Sequence, residues 1–158
     1  MTKFKLVNFI DMATEDVNLV LYWRNHPLIR EWMITRHEIS REEHLSFIDK
    51  LKLRDESRYF LVKERLEPIG VISFCKITVE STEMGIYSGP NVKGKGKDLL
   101  KIIQEYAFNE LKVNTIISQV MSQNKKAIRL YEMFKFKTMF SNDPEMIAMR
   151  LELEDWQL

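Results

Sequence analysis

The stretch from Glu83 to Phe108, EMGIYSGPNVKGKGKDLLKIIQEYAF, leaves this chain few choices of fold. Glu83 to Tyr87 reads as a strand, which must stop by Pro90 because proline has no N–H for a ladder. A turn follows in which Lys93, Lys95 and Lys97 alternate with Gly94 and Gly96. Leu99, Leu100, Ile103, Tyr106, Ala107 and Leu111 then recur at three- and four-residue spacing, predicting a long helix that ends near Lys112. A glycine-rich turn leading into a helix presents free backbone N–H groups, and the macrodipole there favours an anion. With three lysines beside it, the turn is expected to hold a phosphorylated ligand.

The rest of the chain is consistent with α/β architecture. Lys3 to Phe9 alternates charged and apolar residues, the period of a half-buried strand. Thr14 to Trp23 reads as a helix with Thr14 as N-cap and Val17, Val20 and Leu21 on one face, ended or kinked by Pro27. Ser40-Arg41-Glu42-Glu43 is a capping box that starts a second helix to about Lys52, with Leu45, Ile48 and Leu51 inward. Arg58–Lys63 and Pro68–Thr78 read as antiparallel strands, the second nearly continuously apolar and so inside the sheet. Thr115–Val120 is another strand, and Asn124 caps a helix carrying Ala127, Ile128, Tyr131 and Phe134. Phe136–Phe140 and Met146–Leu153 close the chain as a strand pair. Helical crossovers and short turns together predict a mixed central sheet flanked by helices, in one domain spanning residues 1–158.

Composition narrows the function classes. The net charge of +1 gives no global case for nucleic acid or an anionic membrane. From Lys93 to Lys137, however, ten basic residues face four acidic ones, a local surface suited to a polyanionic small molecule. The lysines lack the interleaved aromatic platform that nucleic-acid binding would use. Cys75 is the only cysteine, so no intrachain disulfide can form and a reducing compartment is expected. MTKFKLVNFIDM reads as a strand and not as a signal peptide or membrane span, so a cytoplasmic protein is expected. In WRNHPLIREWM, Arg24 or Arg30 can clamp an anion at the wall of a second pocket, and His44 and Lys76 are further candidates there. For each, the alternative is a solvated or structural side chain.

Two familiar phosphate motifs fit the turn poorly. A P-loop needs a hydroxyl where Gly96 stands, and a dinucleotide fingerprint needs a glycine at Leu99. A third pattern fits. A strand ending in Glu-apolar-Gly-x-aromatic, then Pro, Gly-x-Gly and a long helix, resembles the GNAT superfamily of acetyl-CoA-dependent N-acetyltransferases. NKKAIRLYEMFKF adds the superfamily's Asn-x-x-Ala-x-x-x-Tyr-x-x-x-x-Phe signature as Asn124, Ala127, Tyr131 and Phe136. The resemblance spans essentially the whole chain in element order. It departs at Asn91, where the superfamily often has Arg or Gln. WRNHP, EEHLSFI, RYFLV and IGVISF are similar to the N-terminal halves of the sugar-nucleotide acetyltransferases of pseudaminic acid biosynthesis, which serve flagellin glycosylation.

That resemblance implies a GNAT fold, acetyl-CoA as acetyl donor and no metal. It assigns the CoA tail to Val92, Lys93, Gly94, Lys95, Gly96 and Lys97, with Lys125 or Lys126 near the nucleotide phosphate and Asn124 and Ala127 in the signature helix. Tyr87 and Ser88, where the strand splays, would offer backbone groups to pantetheine and the thioester. Tyr131 is implied as the general acid, since a phenol of pKa about 10 can protonate a thiolate. Glu83, Ser73 or a water chain would serve as base. Arg24, His44, Lys76 and Tyr87 would bind the acceptor, implied to be the 4-amino group of a UDP-linked amino-dideoxy sugar. A protein N-terminus or another small amine, or a regulatory domain that binds CoA without turnover, are the alternatives. A homodimer is compatible with all of them.

Overall fold

A computed structural model describes residues 3–158. One seven-stranded sheet runs in the order β1-β2-β3-β4-β5-β7-β6. Its strands are β1 (Phe4–Asn8), β2 (Arg58–Glu64), β3 (Glu67–Cys75), β4 (Ser81–Ser88), β5 (Thr115–Met121), β6 (Lys137–Thr138) and β7 (Met146–Glu152). Every neighbouring pair is antiparallel except β4 and β5, which are joined through a helical crossover and lie parallel. The expected mixed sheet is therefore present.

Alternation along the strands sends side chains into two cores. Phe60, Val62, Ile72, Phe74 and Met84 pack against Leu99, Leu100 and Ile103 of helix α4 (Gly96–Glu105), with Tyr131 of α5 (Lys125–Met133) in the same cluster. Leu61 and Val71 point to the opposite face, where they meet Val20 and Trp23 of α1 (Thr14–Asn25), Ile29 of α2 (Pro27–Arg30), and Ile48 and Leu51 of α3 (Arg41–Leu51). Each such side chain taken fully out of water contributes roughly 1.5–3 kcal/mol before its ordering entropy is counted.

Local sequence explains most boundaries, and several expectations are corrected. Thr14 is the first residue of α1 and not its cap; Ala13 holds that position without a side-chain hydrogen bond. Pro27 does end α1, and the imidazole of His26 then caps α2 by accepting from the Leu28 N–H at 3.2 Å. The Ser40–Glu43 capping box is formed in full. Leu45, expected inward on α3, is exposed, and His44 takes the inward position. The helix predicted to reach Lys112 changes at Tyr106 into a π-turn, Tyr106–Glu110. The extra residue per turn accompanies a Tyr106 ring stacked on Phe74 at 4.8 Å, with a phenol oxygen that accepts from Arg58 at 2.7 Å. β3 stops at Cys75, short of Thr78, because Lys76 adopts a φ of 50° that turns the chain out of the sheet. β6 is only two residues long, and α6 (Leu153–Gln157) adds a terminal turn that periodicity could not reveal.

Candidate active site

The site begins with a parting of two strands. β4 and β5 are paired from Ser81–Thr115 to Met84–Ser118 and no further. β4 nevertheless stays with β3 as far as Ser88, and β5 stays with β7 as far as Met121. The two halves of the sheet thus diverge like a V with its vertex at Met84 and Ser118. Backbone groups of β4 beyond Met84 have no β5 partner, so they are available to an extended ligand threaded into the gap.

A cavity of about 1610 Å³ occupies this opening and continues onto the α1–α3 face. Its volume exceeds the ~300–1,000 Å³ of an ordinary single-ligand pocket, leaving room for two substrates. At one end it is lined by Val92, Lys93, Gly94, Gly96 and Lys97 from the turn. Gly94 has a φ of 74°, and a Cβ there would meet nothing within 4 Å. Glycine is therefore required by the backbone and not by space. The N-cap of α4 is Lys95, whose side chain makes no cap hydrogen bond, so the first-turn N–H groups are left for a ligand. Lys95 itself is a correction. Its ammonium reaches away from the cavity to Glu64 of β2 at 2.7 Å, and Lys3 holds the same carboxylate at 2.9 Å. These two ammonium groups keep the Glu64 carboxyl below its ordinary range.

Asn124, Lys126, Ala127, Arg129, Leu130 and Tyr131 line the adjoining wall. The Asn124 side chain caps α5 by accepting from the Ala127 N–H at 3.3 Å. α4 and α5 approach closely, since a Cβ on Gly96 would lie 3.1 Å from Leu130 Cδ2. Tyr131 is buried, and its ring lies 5.7 Å from that of Phe136. Burial pushes its phenol up to about 12, while a hydrogen bond with Ser118 pulls in the opposite direction. The phenol is thus a weaker acid than its ordinary value of about 10 suggested, and it is protonated throughout the neutral range.

On the other side of the gap, the β3–β4 register pairs Val71 with Tyr87, Ser73 with Gly85, and Cys75 with Glu83. Cross-strand partners share a face, so Ser73, Glu83 and Tyr87 all meet the cavity. Ser88 lines it as well. A Cβ on Gly85 would overlap the Ser73 hydroxyl, so the glycine opens the place that this hydroxyl occupies. Tyr59, unnoticed in the sequence, stands over the same floor and accepts from the Cys75 thiol at 3.4 Å. Burial raises the phenols of both Tyr59 and Tyr87 far above their ordinary value.

Arg24 and His44 also line the cavity. One arm of the Arg24 guanidinium, Nη2, donates to the Thr35 carbonyl at 2.9 Å. The other, Nη1, is buried without a partner among the described residues. A buried orphan donor on a cation is costly unless a ligand fills it. His44 is used differently from expectation: its Nε2 lies 3.0 Å from the Val17 carbonyl, tying α3 to α1, and burial lowers its pKa. Lys76 does not reach the cavity. Its side chain is 79% exposed and lies 3.8 Å from Glu83, the outcome of the positive φ that ends β3. The loop between α2 and α3 supplies Trp32, Met33 and Ile34 to the rim. It is fastened by the Asn25 side chain, which bonds both the N–H and the carbonyl of Ile39 at 2.7 and 2.8 Å. Trp32 and Met33 belong to the stretch WRNHPLIREWM, read from the sequence as a pocket wall, and Ile34 lies just beyond it.

A sheet parted between parallel strands, an uncapped glycine-rich helix start and a buried phenol lining the cavity between them define an acyl-CoA-type N-acyltransferase. Residues 7–137 match the family described as Acetyltransferase (GNAT) domain, and the chain belongs to that family of N-acetyltransferases. Acetyltransferase PseH of Campylobacter jejuni subsp. jejuni serotype O:23/36 (strain 81-176) is 41% identical over 151 residues, covering 96% of this chain and 95% of the relative. The crystal structure of Campylobacter jejuni N-acetyltransferase PseH in complex with acetyl coenzyme A has a TM-score of 0.81 at 36% identity, over 95% of this chain and 99% of that one. Spermidine N-acetyltransferase from Vibrio cholerae, in complex with CoA and spermine, shares the fold with a TM-score of 0.85 at 22% identity, over 99% of both chains. Among the described residues, no His, Cys, Asp and Glu cluster could hold a metal ion, and no helix is long and apolar enough to cross a membrane.

Proposed function

We propose that this enzyme transfers the acetyl group of acetyl-CoA to the 4-amino group of a UDP-linked amino-dideoxy sugar, in the cytoplasmic route to pseudaminic acid. The observation that carries the acceptor half is Arg24, which lines a cavity large enough for a second substrate and whose buried Nη1 has no partner among the described residues. A diphosphate offers that donor a charge-assisted partner, and Tyr59, Tyr87 and Trp32 offer flat faces to a base and sugar. The similarity to PseH supports the same acceptor class.

The donor half rests on the turn. First-turn N–H groups of α4, with Lys93 and Lys97, suit a pyrophosphate, and Lys126 and Arg129 add charge beside it. The bound thioester supplies an activated acetyl group. Unpaired β4 groups at Tyr87 and Ser88 hold the chain that carries it, and they polarise its carbonyl as amine attack builds charge on oxygen. Glu83, on the cavity floor, or Ser73 through a water takes the proton released by the attacking amine. Tyr131 gives its proton to the departing sulfur. Moving a proton from a phenol near 12 to a thiolate near 8.5 is uphill by roughly 5 kcal/mol, so the phenolate needs local stabilisation.

The test is thiol release from acetyl-CoA in the presence of UDP-4-amino-4,6-dideoxy sugars, N-terminal peptides or polyamines. Turnover is expected with the sugar nucleotides. Turnover with peptides or polyamines alone would reassign the acceptor, and CoA binding without turnover on any amine would indicate a regulatory domain.

A further inference from the structure

His37 lies in the connection from α2 to α3, which has no regular secondary structure and yet holds this residue closely. Two residues before it, Arg24 Nη2 donates to the Thr35 carbonyl at 2.9 Å. Two residues after it, the Asn25 side chain bonds both the N–H and the carbonyl of Ile39. The ring is tied as well. Its Nε2 lies 3.0 Å from Glu43 Oε2, and Oε1 of the same carboxylate accepts from the Ser40 N–H at 3.3 Å as half of the capping box. Loops are ordinarily the loosely held part of a fold. An imidazole fixed at its ring and at two residues to either side is not. His37 and Glu43 both line the cavity, and the His37 side chain, 58% exposed, also meets bulk water.

The hydrogen bond from His37, and after it the Ser40 N–H, hold the Glu43 carboxyl below its ordinary range. At neutral pH Glu43 is therefore a carboxylate and can only accept, so Nε2 carries the imidazole hydrogen. In the neutral ring the lone pair is then on Nδ1, which has no hydrogen-bond partner among the described residues. Charged groups on the surrounding segments are engaged elsewhere. Arg36 donates to the Met33 carbonyl and the Met121 sulfur, Arg41 to Asn18 and Arg24 to Thr35. His44 is tied to the Val17 carbonyl, and Glu38 and Glu42 are exposed. A carboxylate orienting an imidazole whose second nitrogen is open is the arrangement of a general base.

We propose that His37, oriented by Glu43, accepts at Nδ1 the first proton of the incoming acceptor ammonium and passes it to solvent. This rests on the reading of this part of the cavity as the acceptor site. Amines with pKa values of about 8–10 arrive mostly as ammonium ions, which have no lone pair with which to attack. One N–H bond of the ammonium breaks, an Nδ1–H bond forms, and the electron pair stays on the amine. The imidazolium faces the Glu43 carboxylate through Nε2–H and loses its new proton to water on its exposed side. The second amine proton leaves during attack, to the base already described. Tyr131 protonates the sulfur and is reprotonated by solvent. One ammonium and one thioester thus give one amide, one thiol and one released proton.

His37→Ala removes an exposed side chain, so its melt and its Kd for acetyl-CoA should stay close to the parent's. At pH 7 its kcat/KM for the acceptor amine should fall about a hundredfold. The loss should shrink as pH rises past the amine's own pKa, because the amine then arrives neutral. Added imidazole should restore turnover in His37→Ala and leave the parent unchanged. Glu43→Gln keeps a side chain able to cap α3 but removes the charge beside the imidazolium, and should lose about three- to tenfold, without rescue by imidazole. Independently of turnover, nitrogen-15 histidine spectra, with the His37 signal assigned by its loss in His37→Ala, should place the hydrogen of the neutral ring on Nε2.

An unchanged kcat/KM in His37→Ala would overturn the proposal. So would a loss that is equal at every pH and untouched by imidazole, which would make His37 a contact for the acceptor and not its base. A neutral ring with its hydrogen on Nδ1 would overturn it too. If the parent itself acetylates no amine, the reading of the site is what fails, and the proposal falls with it.

Discussion

The Cβ that Gly85 lacks would occupy the place that the Ser73 hydroxyl takes across the β3–β4 pair. Gly85→Ala must therefore displace that hydroxyl from the place it takes beside the cavity, and Ser73 is buried. We expect Gly85→Ala to melt below the parent, by about 1–3 kcal/mol in the scale of overpacked cores, and to lose turnover. Removing the obstruction with Ser73→Ala in the same chain should return most of the stability. Thermal melts of the two single variants and the double variant check this.

Tyr131→Phe keeps the ring that packs against Phe136 and removes only the hydroxyl proposed as the acid. kcat should fall at least about tenfold with little change in acetyl-CoA affinity, the signature of an interaction used in the transition state. Steady-state kinetics with a separate CoA binding measurement separates the two effects.

Burial also couples these phenols to stability at high pH. The folded pKa of Tyr131 is raised, by burial, to about 12, above an unfolded value near 10. Its contribution is fully present below about pH 10 and is lost as pH rises toward about 12. Tyr59 and Tyr87, raised by the same cause, add to the slope. Denaturant melts should show stability falling steeply above about pH 10, with a shallower fall in Tyr131→Phe.

The lysines of the turn divide into two kinds. Lys93 and Lys97 face the cavity, whereas Lys95 holds Glu64. If Lys93 and Lys97 meet the phosphate charge as proposed, Lys93→Ala and Lys97→Ala should raise the KM for acetyl-CoA in a salt-sensitive way. Lys95→Ala should change that KM little. Instead, it should reduce the acid-side dependence of stability on pH. The Glu64 carboxyl is held low by Lys95 and Lys3, so its contribution is present above the unfolded pKa and lost as pH falls through the folded one. Acceptor-independent donor binding and pH-dependent melts distinguish the two behaviours.

Arg24→Met removes a guanidinium whose Nη1 has no partner among the described residues and whose burial already lowers its pKa. KM for a sugar-nucleotide acceptor should rise about tenfold or more while that for acetyl-CoA stays put. Stability should change little, because the lost Thr35 contact is offset by relief of a buried, half-satisfied charge.

Sequence alone determined the mixed sheet, the glycine- and lysine-rich turn into α4, and the helix of the signature. Each of these is written in neighbouring residues: Pro90 ends a strand, Gly94 permits a left-handed turn, and Asn124 caps the helix that carries Tyr131. Arg24, Ser73 and Glu83 were also candidates, the last two through the family resemblance, and all three line the cavity. Tertiary structure decided what spacing cannot encode, namely where a side chain goes once other strands are beside it. Lys95 was drawn to Glu64, some thirty residues earlier, and His44 was drawn to Val17. Lys76 was turned outward by the backbone that ends β3. Ser118 carries no motif at all, and it stands at the vertex where β4 and β5 separate, a relation that exists only after the crossover through α4 has brought those strands together.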